Sequence, residues 1–368
     1  MKKLLSIALC LMLAFGCLAE VSPALSVTGK VTEIEKYGHA LLDVTIEDFN
    51  AAGFALGDIV SVKAGSFEGD MPYFNGYYVD KGETMLRAYP GHTCIAVCIN
   101  YGKFAETAGI GVGDEVTISL KEKAGALTLQ QISDLVYTNE RADYESDAQF
   151  ANFRAVKAGE MAQGRLLRSC SPIDNQHNRA GIADALIAEA GAKTVMNMAD
   201  TQEELAALLE NTNGSSPCYS ALAAEGHVIA LGMPINFSSD EFAEGIVKGF
   251  TFLSENEAPY LVHCTEGKDR AGFACMLLEM LMGASLDEVV NDYLLSYVNY
   301  YHIDPETEAD KLDMIAKKNV YEMIRTVAKL ETIDDVQYVD LPNAAGHYLL
   351  DHGMDENALL TLVDKLGE

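Results

Sequence analysis

The run from Leu261 to Phe273 contains the residue types that nucleophilic attack on phosphorus requires. It reads LVHCTEGKDRAGF, so five residues separate Cys264 from Arg270, and His263 precedes the cysteine. A cysteine at a helix N-terminus beside cationic side chains is held as a thiolate, which is the nucleophilic form. The planar guanidinium of an arginine matches two phosphate oxygens at once. This spacing predicts in-line attack by Cys264 on a phosphate that Arg270 binds.

The flanking residues predict the elements that position this run. Residues 260–262 and 273–278 are apolar, which is typical of a buried strand before a tight loop and a buried helix after it. Such a loop directs backbone amides at one point, and the helix dipole adds positive potential there. Gly267 permits a close backbone approach. The alternative is a structural cysteine beside a chance arginine, and the added His263, Gly267 and Gly272 argue against it.

The pattern His-Cys-x5-Arg resembles the signature of the cysteine-dependent protein tyrosine phosphatase superfamily. The form His-Cys-x-x-Gly-Lys-Asp-Arg is similar to a bacterial branch with dual activity on phosphotyrosine and phosphoinositides. The resemblance spans roughly residues 150–368. Further segments are similar to segments of that branch, namely Asn152–Arg154, Gly164–Ser169, Ser296–Tyr301 and the closing Tyr348–Leu366, and Thr194–Met198 lies where its first core strand ends.

This resemblance implies a role for each loop residue. Cys264 becomes phosphorylated as the nucleophile, Asp269 is the general acid, and His263 supports the loop. The substrate-binding residues are Thr265, Glu266, Gly267, Lys268 and Arg270. The resemblance implies no cofactor, and the sequence contains no zinc-binding pattern.

Several alternatives remain open at the level of sequence. Asp269 either protonates the leaving group or pairs with Lys268 and caps the helix, and Asp240 is the reserve acid. Lys268 either contacts a second phosphate or only shifts the local potential. Ala271 replaces the hydroxyl residue that usually follows the arginine, which predicts a slower second step. Residues 197–199 replace the branch's Asp-Leu-Arg, so the carboxylate partner of Lys268 has moved or is lost.

The first residues are typical of an export signal. Lys2 and Lys3 precede the short apolar run Leu4–Phe15, and a small residue ends the predicted signal peptide, residues 1–19. The apolar run is shorter than the roughly 20 residues that a membrane span needs. We therefore expect a secreted or extracytoplasmic bacterial protein without an integral membrane segment, or alternatively a lipoprotein anchored at Cys17.

The remaining chain predicts two domains of different class. Short β-branched runs separated by glycine turns predict a small β-barrel or sandwich, and alternating strands and helices predict an α/β domain with a central, largely parallel sheet flanked by helices. The predicted organisation is a signal peptide, a β-rich accessory domain, a linker and a phosphatase-like catalytic domain, at residues 1–19, 27–125, 126–149 and 150–368.

The β-rich domain is similar to the C-terminal β-domain of S-adenosylmethionine hydroxide adenosyltransferases. The similarity rests on Tyr37–Gly38, Gly57–Val60, Ile99–Gly102 and Gly113–Asp114. The large catalytic domain of that family has no counterpart in the chain, so we infer no adenosyltransferase activity. A spacer or a substrate-positioning module is the preferred interpretation.

The charge excludes some partners. The formal net charge is −29, which repels nucleic acid and anionic membrane surfaces. We expect an exported phosphomonoesterase that accepts phosphotyrosine, a phosphoinositide or another phosphorylated small molecule. The alternatives are an inositol polyphosphate or phosphoinositide phosphatase, and a weakly catalytic protein that binds a phosphorylated ligand.

Overall fold

The computed structural model describes residues 25–368, so the predicted signal peptide and Cys17 lie outside the described residues. The chain forms two compact units, of which one ends at Gln130 and the other begins at Gln131. Within residues 25–368, no helix combines the length and the apolar character that crossing a membrane requires.

The first unit is a closed seven-stranded barrel with short helices. Its elements are β1 (Ser26–Ile34), β2 (Ala40–Thr45), α1 (Ile46–Ala51), β3 (Ile59–Ala64), β4 (Phe67–Phe74), β5 (Thr84–Arg87), β6 (Cys94–Ile99), α2 (Phe104–Ala108) and β7 (Glu115–Glu122). The strand order is β1-β2-β6-β5-β4-β3-β7, and β7 pairs with β1 to close the barrel. Only the β4–β5 pair is parallel. Of the two predicted β architectures, a barrel and a sandwich, the first unit forms the barrel.

Alternating side chains fill the barrel. In β3, Val60 and Val62 are fully buried whereas the intervening Ser61 is only partly covered, as expected for a strand with one face on a core. The ring of Phe49 stacks on Phe54 with 4.0 Å between ring centroids. These contacts give the first unit its own hydrophobic core.

The helix α3 (Leu127–Ser133) lies where the two units divide. The second unit then contains a short 3₁₀ turn (Arg141–Asp143), α4 (Asp147–Phe150), β8 (Arg154–Ala155), β9 (Leu166–Ser169), α5 (Ala180–Glu189), β10 (Thr194–Asn197), α6 (Gln202–Asn211), α7 (Pro217–Ala224), β11 (Val228–Ala230), α8 (Asp240–Glu255), β12 (Tyr260–His263), α9 (Arg270–Leu281), α10 (Leu286–Tyr301), α11 (Ala309–Ala316), a π-helical turn (Lys317–Tyr321), α12 (Glu322–Val327), a 3₁₀ segment (Ile333–Tyr338), α13 (Leu341–Asp351) and α14 (Glu356–Gly367).

The second unit is built around a five-stranded sheet of order β11-β10-β12-β9-β8. The strands β11, β10, β12 and β9 are parallel, and β8 adds an antiparallel edge, so the predicted parallel sheet holds for four of its five strands. Val262 of β12 packs into the core that contains α8 and α9, and Leu261 packs into the core on the opposite face with α5 and α7. Helices therefore cover both faces, and β12 is the central strand.

The helix α9 is buried on all sides. Every residue from Ala271 to Met280 is buried, and the helix packs against β12, α10 and α13. A helix that is apolar all round is typical of the interior of a domain. The loop before α9 is consequently held between the central strand and a central helix.

Candidate active site

The run around Cys264 forms the predicted strand, loop and helix. β12 ends at His263, and α9 begins at Arg270. Cys264 therefore follows the carboxyl end of the central strand, where ligands bind in open α/β sheets. Its side chain is buried, with 3% of the residue exposed.

The carbonyl groups of the loop all turn toward the surrounding protein. Those of Thr265, Glu266, Gly267, Lys268 and Asp269 accept hydrogen bonds from Ser171, Tyr300, Arg168 and the first turn of α9. In a planar trans peptide, the carbonyl of one residue and the amide of the next point in opposite directions. The amides of residues 266–270 therefore point away from these partners, toward the concave side of the loop. That arrangement is a nest of N–H groups suited to an anion.

Arg168 is the main scaffold of the loop. This fully buried side chain donates from Nε to the Gly267 carbonyl at 2.8 Å and from Nη2 to the Lys268 carbonyl at 2.8 Å. Its Nη1 donates to Asp292 at 2.5 Å, and Arg154 donates to the other oxygen of that carboxylate at 2.6 Å. Burial raises the pKa of Asp292, but the two arginines outweigh burial and hold the pKa well below its ordinary value. A paired ionic cluster thus supports the loop from behind.

A second carboxyl group lies beside this cluster. Glu279 of α9 is 1% exposed, and its nearest charged neighbours include Asp292 and Arg168. Burial, reinforced by the negative charge of Asp292, raises the pKa of Glu279 well above its ordinary value. Glu279 is therefore a neutral acid in the folded protein at pH values where it ionises in the unfolded chain.

The side-chain amide of Asn152 and the hydroxyl of Tyr300 also hold the loop in place. The Asn152 side-chain amide donates to the Glu266 carbonyl at 3.2 Å and to Ser296 Oγ at 3.0 Å. Tyr300 donates to the Glu266 carbonyl at 2.6 Å. Three of the segments that resemble the phosphatase branch therefore meet at the back of the loop, because Asn152, Arg168 and Ser296 each come from one of them.

Close packing explains the two glycines of the motif. Gly267 has φ +68°, and a Cβ there would lie 2.1 Å from the Ser169 carbonyl oxygen. A Cβ at Gly272 would lie 2.7 Å from Nη2 of Arg168. Both positions accept only glycine without a shift of neighbouring atoms. The intervening Ala271 is fully buried.

The guanidinium of Arg270 is aligned by backbone carbonyls. Its Nη1 donates to Met198 at 3.2 Å and to Met233 at 3.0 Å, and its Nη2 donates to Thr265 Oγ1 at 3.2 Å. These contacts connect the ends of β10 and β11 to the loop. They place the Arg270 guanidinium, which is predicted to bind phosphate, beside Thr265, the residue that follows Cys264.

His263 belongs to a buried polar chain. Its Nε2 lies 3.2 Å from the Tyr219 hydroxyl, which also accepts from the Asn197 amide at 3.1 Å. Because the Cys264 carbonyl can only accept, Nδ1 of His263 carries the proton that it donates at 3.3 Å, and Nε2 of the neutral ring accepts from the Tyr219 hydroxyl. Burial lowers the pKa of His263 to about 4, so the ring is neutral at pH 7. This geometry fits the predicted supporting role.

Lys268 and Glu266 face a group of tyrosines. The Lys268 ammonium lies 3.2 Å from the Glu266 carboxylate and 3.1 Å from the Tyr301 hydroxyl, and it sits over the Tyr297 ring at 5.3 Å. Tyr137 donates to the other oxygen of Glu266. Burial raises the pKa of Glu266, but Lys268 and Tyr137 outweigh burial and lower it overall. Glu266 is thus the carboxylate partner of Lys268, which the sequence did not identify.

Three carboxylates were considered as acids, and they occupy different places. Asp269 accepts from the Tyr293 hydroxyl at 3.3 Å, lies 3.9 Å from Lys268, and does not cap α9 with its side chain. Asp240 is exposed in the first turn of α8. Asp200 accepts from Asn197 at 2.9 Å and lies close enough to Arg270 to feel its charge. Burial raises the pKa of Asp200, so this residue holds its proton at higher pH than an exposed aspartate.

Sequence reasoning did not find the roles of Tyr137, Tyr219 and Asp200. Tyr137 lies in the segment predicted as a linker, residues 126–149, yet its ring packs against Tyr300 with 4.9 Å between centroids. Tyr219 is far from the motif in sequence and carries no local signal. Within residues 25–368, no group of three or more His, Cys, Asp and Glu side chains is arranged to hold a metal ion, and all six cysteines are free thiols.

Comparisons with known proteins agree with this geometry. Residues 117–367 match the tyrosine phosphatase family. A 48-residue part is 42% identical to a Cupriavidus necator protein named "Putative tyrosine-protein phosphatase"; it covers 13% of this chain and 18% of that protein.

Two solved structures are also similar in part. The core catalytic domain of the PP-IP phosphatase SIW14 from S. cerevisiae, in complex with citrate, is 20% identical, with coverage of 45% of this chain and 91% of that one and a TM-score of 0.25. An uncharacterized conserved protein from Thermotoga maritima is 21% identical, with coverage of 27% and 37% and a TM-score of 0.24. Neither likeness is close enough to support an inference.

The hydrogen bonds from Arg168 to the loop predict that a substitution of this residue weakens anion binding. Arg168→Lys keeps the charge but loses the planar fork that reaches two carbonyls and Asp292 together. We expect the affinity for inorganic vanadate to fall about tenfold or more, measured by calorimetry, because the amide nest loses its alignment. Arg165→Lys, a half-buried arginine of the same segment, is the matched control. Equal vanadate affinity in Arg168→Lys and the wild type would contradict this role.

The neutral state of Glu279 predicts a pH-dependent stability. Its folded pKa is raised, so wild-type stability is lost as pH rises from the unfolded value of about 4.3 toward the folded value, at up to about 1.4 kcal/mol per pH unit. Glu279→Gln has no such loss. Its stability relative to wild type should therefore increase from pH 5 to pH 7 in urea unfolding followed at 222 nm, a signal that arises mainly from the helical second unit. A pH-independent difference, or the same trend in exposed Glu255→Gln, would refute this assignment.

Proposed function

We propose that this chain, which belongs to the tyrosine phosphatase family, is an exported phosphomonoesterase that acts through a cysteinyl-phosphate intermediate. One observation supports the proposal most directly. The loop turns its carbonyls outward and its amides inward around Cys264, and Arg270 begins the helix at the same point. A phosphate dianion bound there receives backbone N–H groups, a helix N-terminus and a guanidinium together.

The first chemical step transfers phosphorus to sulfur. The Cys264 thiolate forms the S–P bond while the P–O bond to the leaving group breaks, and a carboxylic acid gives its proton to the departing oxygen. Arg270 and the loop amides stabilise the negative charge on the equatorial oxygens in the transition state. Water then attacks the cysteinyl-phosphate, the carboxylate accepts its proton, and the thiolate and inorganic phosphate are released.

The release of the thiolate uses a hydroxyl in many relatives, and Ala271 supplies none. Thr265 Oγ1 accepts a hydrogen bond from Arg270 at 3.2 Å, which leaves its own proton available. We assign to Thr265 the stabilisation of the leaving thiolate. If Thr265 does not act in this way, the chain is instead a weak catalyst that retains a phosphorylated ligand.

The substrate proposal rests on the surroundings of Lys268. A cation and the tyrosines Tyr137, Tyr297 and Tyr301 lie beside the loop, which suits an aryl phosphate and also a ligand with a second phosphate. The Lys268 ammonium contacts Glu266 and Tyr301 and has three N–H donors, so a second phosphate either takes the third donor or displaces Glu266. We propose that phosphotyrosine and at least one phosphoinositide or inositol phosphate are substrates.

Removal of the nucleophile tests the mechanism. Cys264→Ser should lower turnover of p-nitrophenyl phosphate by about four orders of magnitude while vanadate still binds, because the serine hydroxyl is not ionised. Arg270→Ala should lose both binding and about 10²–10³-fold of turnover. Buried Cys275→Ser, one helical turn into α9, is the control for thiol loss. Substantial activity in Cys264→Ser would refute the mechanism, and slow wild-type turnover with a burst of p-nitrophenol would favour the weak catalyst.

The identity of the acid is tested by leaving groups. If Asp269 is the acid, Asp269→Asn should slow alkyl phosphates about 10²-fold or more and aryl phosphates much less, because a good leaving group needs little protonation. Asp200→Asn is the competing candidate, since burial raises the pKa of Asp200 although Arg270 nearby lowers it. Asp240→Asn is the exposed control. The leaving-group dependence in Asp200→Asn instead of Asp269→Asn would transfer the role to Asp200.

The contribution of Lys268 is measured with two substrates. Lys268→Ala should lower kcat/KM for an inositol polyphosphate more than for phosphotyrosine, because only the former has a second phosphate for the ammonium to contact. Lys248→Ala on the exposed face of α8 is the matched control. Equal losses of kcat/KM for both substrates would show that Lys268 only contributes positive potential to the loop. If inositol phosphates are not turned over at all, phosphotyrosine remains the only proposed substrate.

A further inference from the structure

The barrel unit has a cleft of about 390 Å³ that the phosphatase proposal does not use. It is lined by three tyrosines, two histidines and a buried arginine, namely Tyr37, Tyr77, Tyr89, His39, His92 and Arg87. Its volume lies in the range of small-molecule sites, about 300–1,000 Å³, and such sites combine aromatic walls with a few polar groups.

The strand register places the cleft on the outer face of the barrel. Arg87 pairs with Ala96, Ala96 with Leu41 and Leu41 with Glu33, so these side chains share one face of the sheet. The preceding residue Leu86 belongs to the barrel core and marks the opposite face. Arg87 is therefore a cation on the outside of the barrel that is nevertheless only 4% exposed. The aromatic side chains of neighbouring loops cover it.

The hydrogen bonds of the cleft connect Arg87, Tyr77 and His39. Arg87 Nη1 donates to the Tyr77 hydroxyl at 3.1 Å, and that hydroxyl lies 3.0 Å from Nε2 of His39. The hydroxyl can donate to Nε2 or accept from it, so this contact is compatible with either neutral tautomer of His39. Burial and the charge of Arg87 lower the pKa of His39, which agrees with a neutral ring.

Two nitrogen atoms of the cleft residues are buried without a hydrogen-bond partner among the described residues, Nδ1 of His39 and Nε of Arg87, and the Nε of Arg87 always carries a proton. His39 is 5% exposed and Arg87 is 4% exposed. A buried donor without an acceptor costs about 1–3 kcal/mol, so a ligand that brings oxygen acceptors relieves that cost.

The charges that line the cleft cancel. Glu35 accepts two hydrogen bonds from Arg87, at 3.0 and 2.9 Å, and Lys36 and Glu33 are the other charged side chains of the lining. Two cations therefore face two carboxylates, and an anionic ligand gains no net attraction. The ligand that fits is uncharged.

The tyrosine rings supply the remaining surface. Tyr37 is 66% exposed and Tyr89 is 43% exposed, so both rings have faces available to a ligand. A pyranose ring has an apolar C–H face that covers an aromatic ring and oxygen atoms at its edge that accept from N–H groups. We propose that this cleft binds a neutral carbohydrate, with pyranose rings against Tyr37 and Tyr89 and with hydroxyl groups, which both donate and accept hydrogen bonds, toward His39 and Arg87.

The test uses the full chain and a panel of neutral disaccharides: cellobiose, maltose, xylobiose, mannobiose and N,N′-diacetylchitobiose. At least one should give saturation-transfer NMR signals, and its Kd is then measured by calorimetry. Tyr37→Leu and Tyr89→Leu should each weaken that Kd at least tenfold without changing turnover of p-nitrophenyl phosphate. Tyr101→Leu is the matched control, because Tyr101 is an exposed tyrosine of the same unit with Lys81 5.3 Å from its ring, as Lys36 is from the ring of Tyr37.

Four results would overturn the proposal. The first is the absence of binding by every disaccharide of the panel. The second is an equal loss of affinity in Tyr101→Leu, and the third is binding of benzamide, a planar ring with one acceptor, in place of the sugars. The fourth is a preference for a uronic-acid disaccharide that weakens steeply with salt, which would indicate an anion site. Unchanged melting temperatures confirm that each variant is folded.

Discussion

The Arg168 guanidinium donates to two loop carbonyls from a position with no solvent exposure, and the geometry of the candidate site depends on that contact. A buried cation is tolerated only when it is paired and fully hydrogen-bonded. Asp292 provides the pairing, and the loop carbonyls provide acceptors that a loop otherwise leaves exposed. Because each peptide is planar and trans, fixing these carbonyls outward fixes the next amides inward. The arrangement of loop amides that can bind an anion is therefore a consequence of the buried Arg168–Asp292 pair behind the loop.

The same constraint explains why the loop tolerates so little variation in shape. Gly267 packs against the Ser169 carbonyl, and Gly272 packs against the Arg168 side chain. These neighbouring atoms occupy the space that a Cβ at either position would need. On the other side, the neutral ring of His263 connects the nucleophile's own carbonyl to Tyr219 and Asn197. Buried polar chains of this kind are stable only when every member is satisfied, which favours one arrangement of the loop.

Electrostatic compensation is local in both units. The chain carries a formal charge of −29, yet its candidate phosphate site gathers Arg270, Lys268 and inward amides. Glu266 and Asp269 offset Lys268 and leave Arg270 as the cation aligned on backbone carbonyls. In the barrel, Glu35 offsets Arg87 in a similar way. The difference is that, among the described residues, the barrel cleft retains an unpartnered donor at Arg87 Nε and exposed aromatic rings, which suit the uncharged ligand proposed above.

The sequence alone determined the strand, tight loop and helix around Cys264, because apolar runs on both sides of a glycine-bearing loop admit few other structures. It also determined a β-rich unit before an α/β unit, since the two hydrophobic periods differ. It did not determine the closed barrel, the antiparallel β8 edge, the pairing of Lys268 with Glu266, or the contact of Tyr137 with the loop. These features join residues far apart in the chain, such as Arg168 and Asp292, and their partners carry no local signal. Only the packed tertiary structure decides which distant groups share one buried volume and must satisfy one another there.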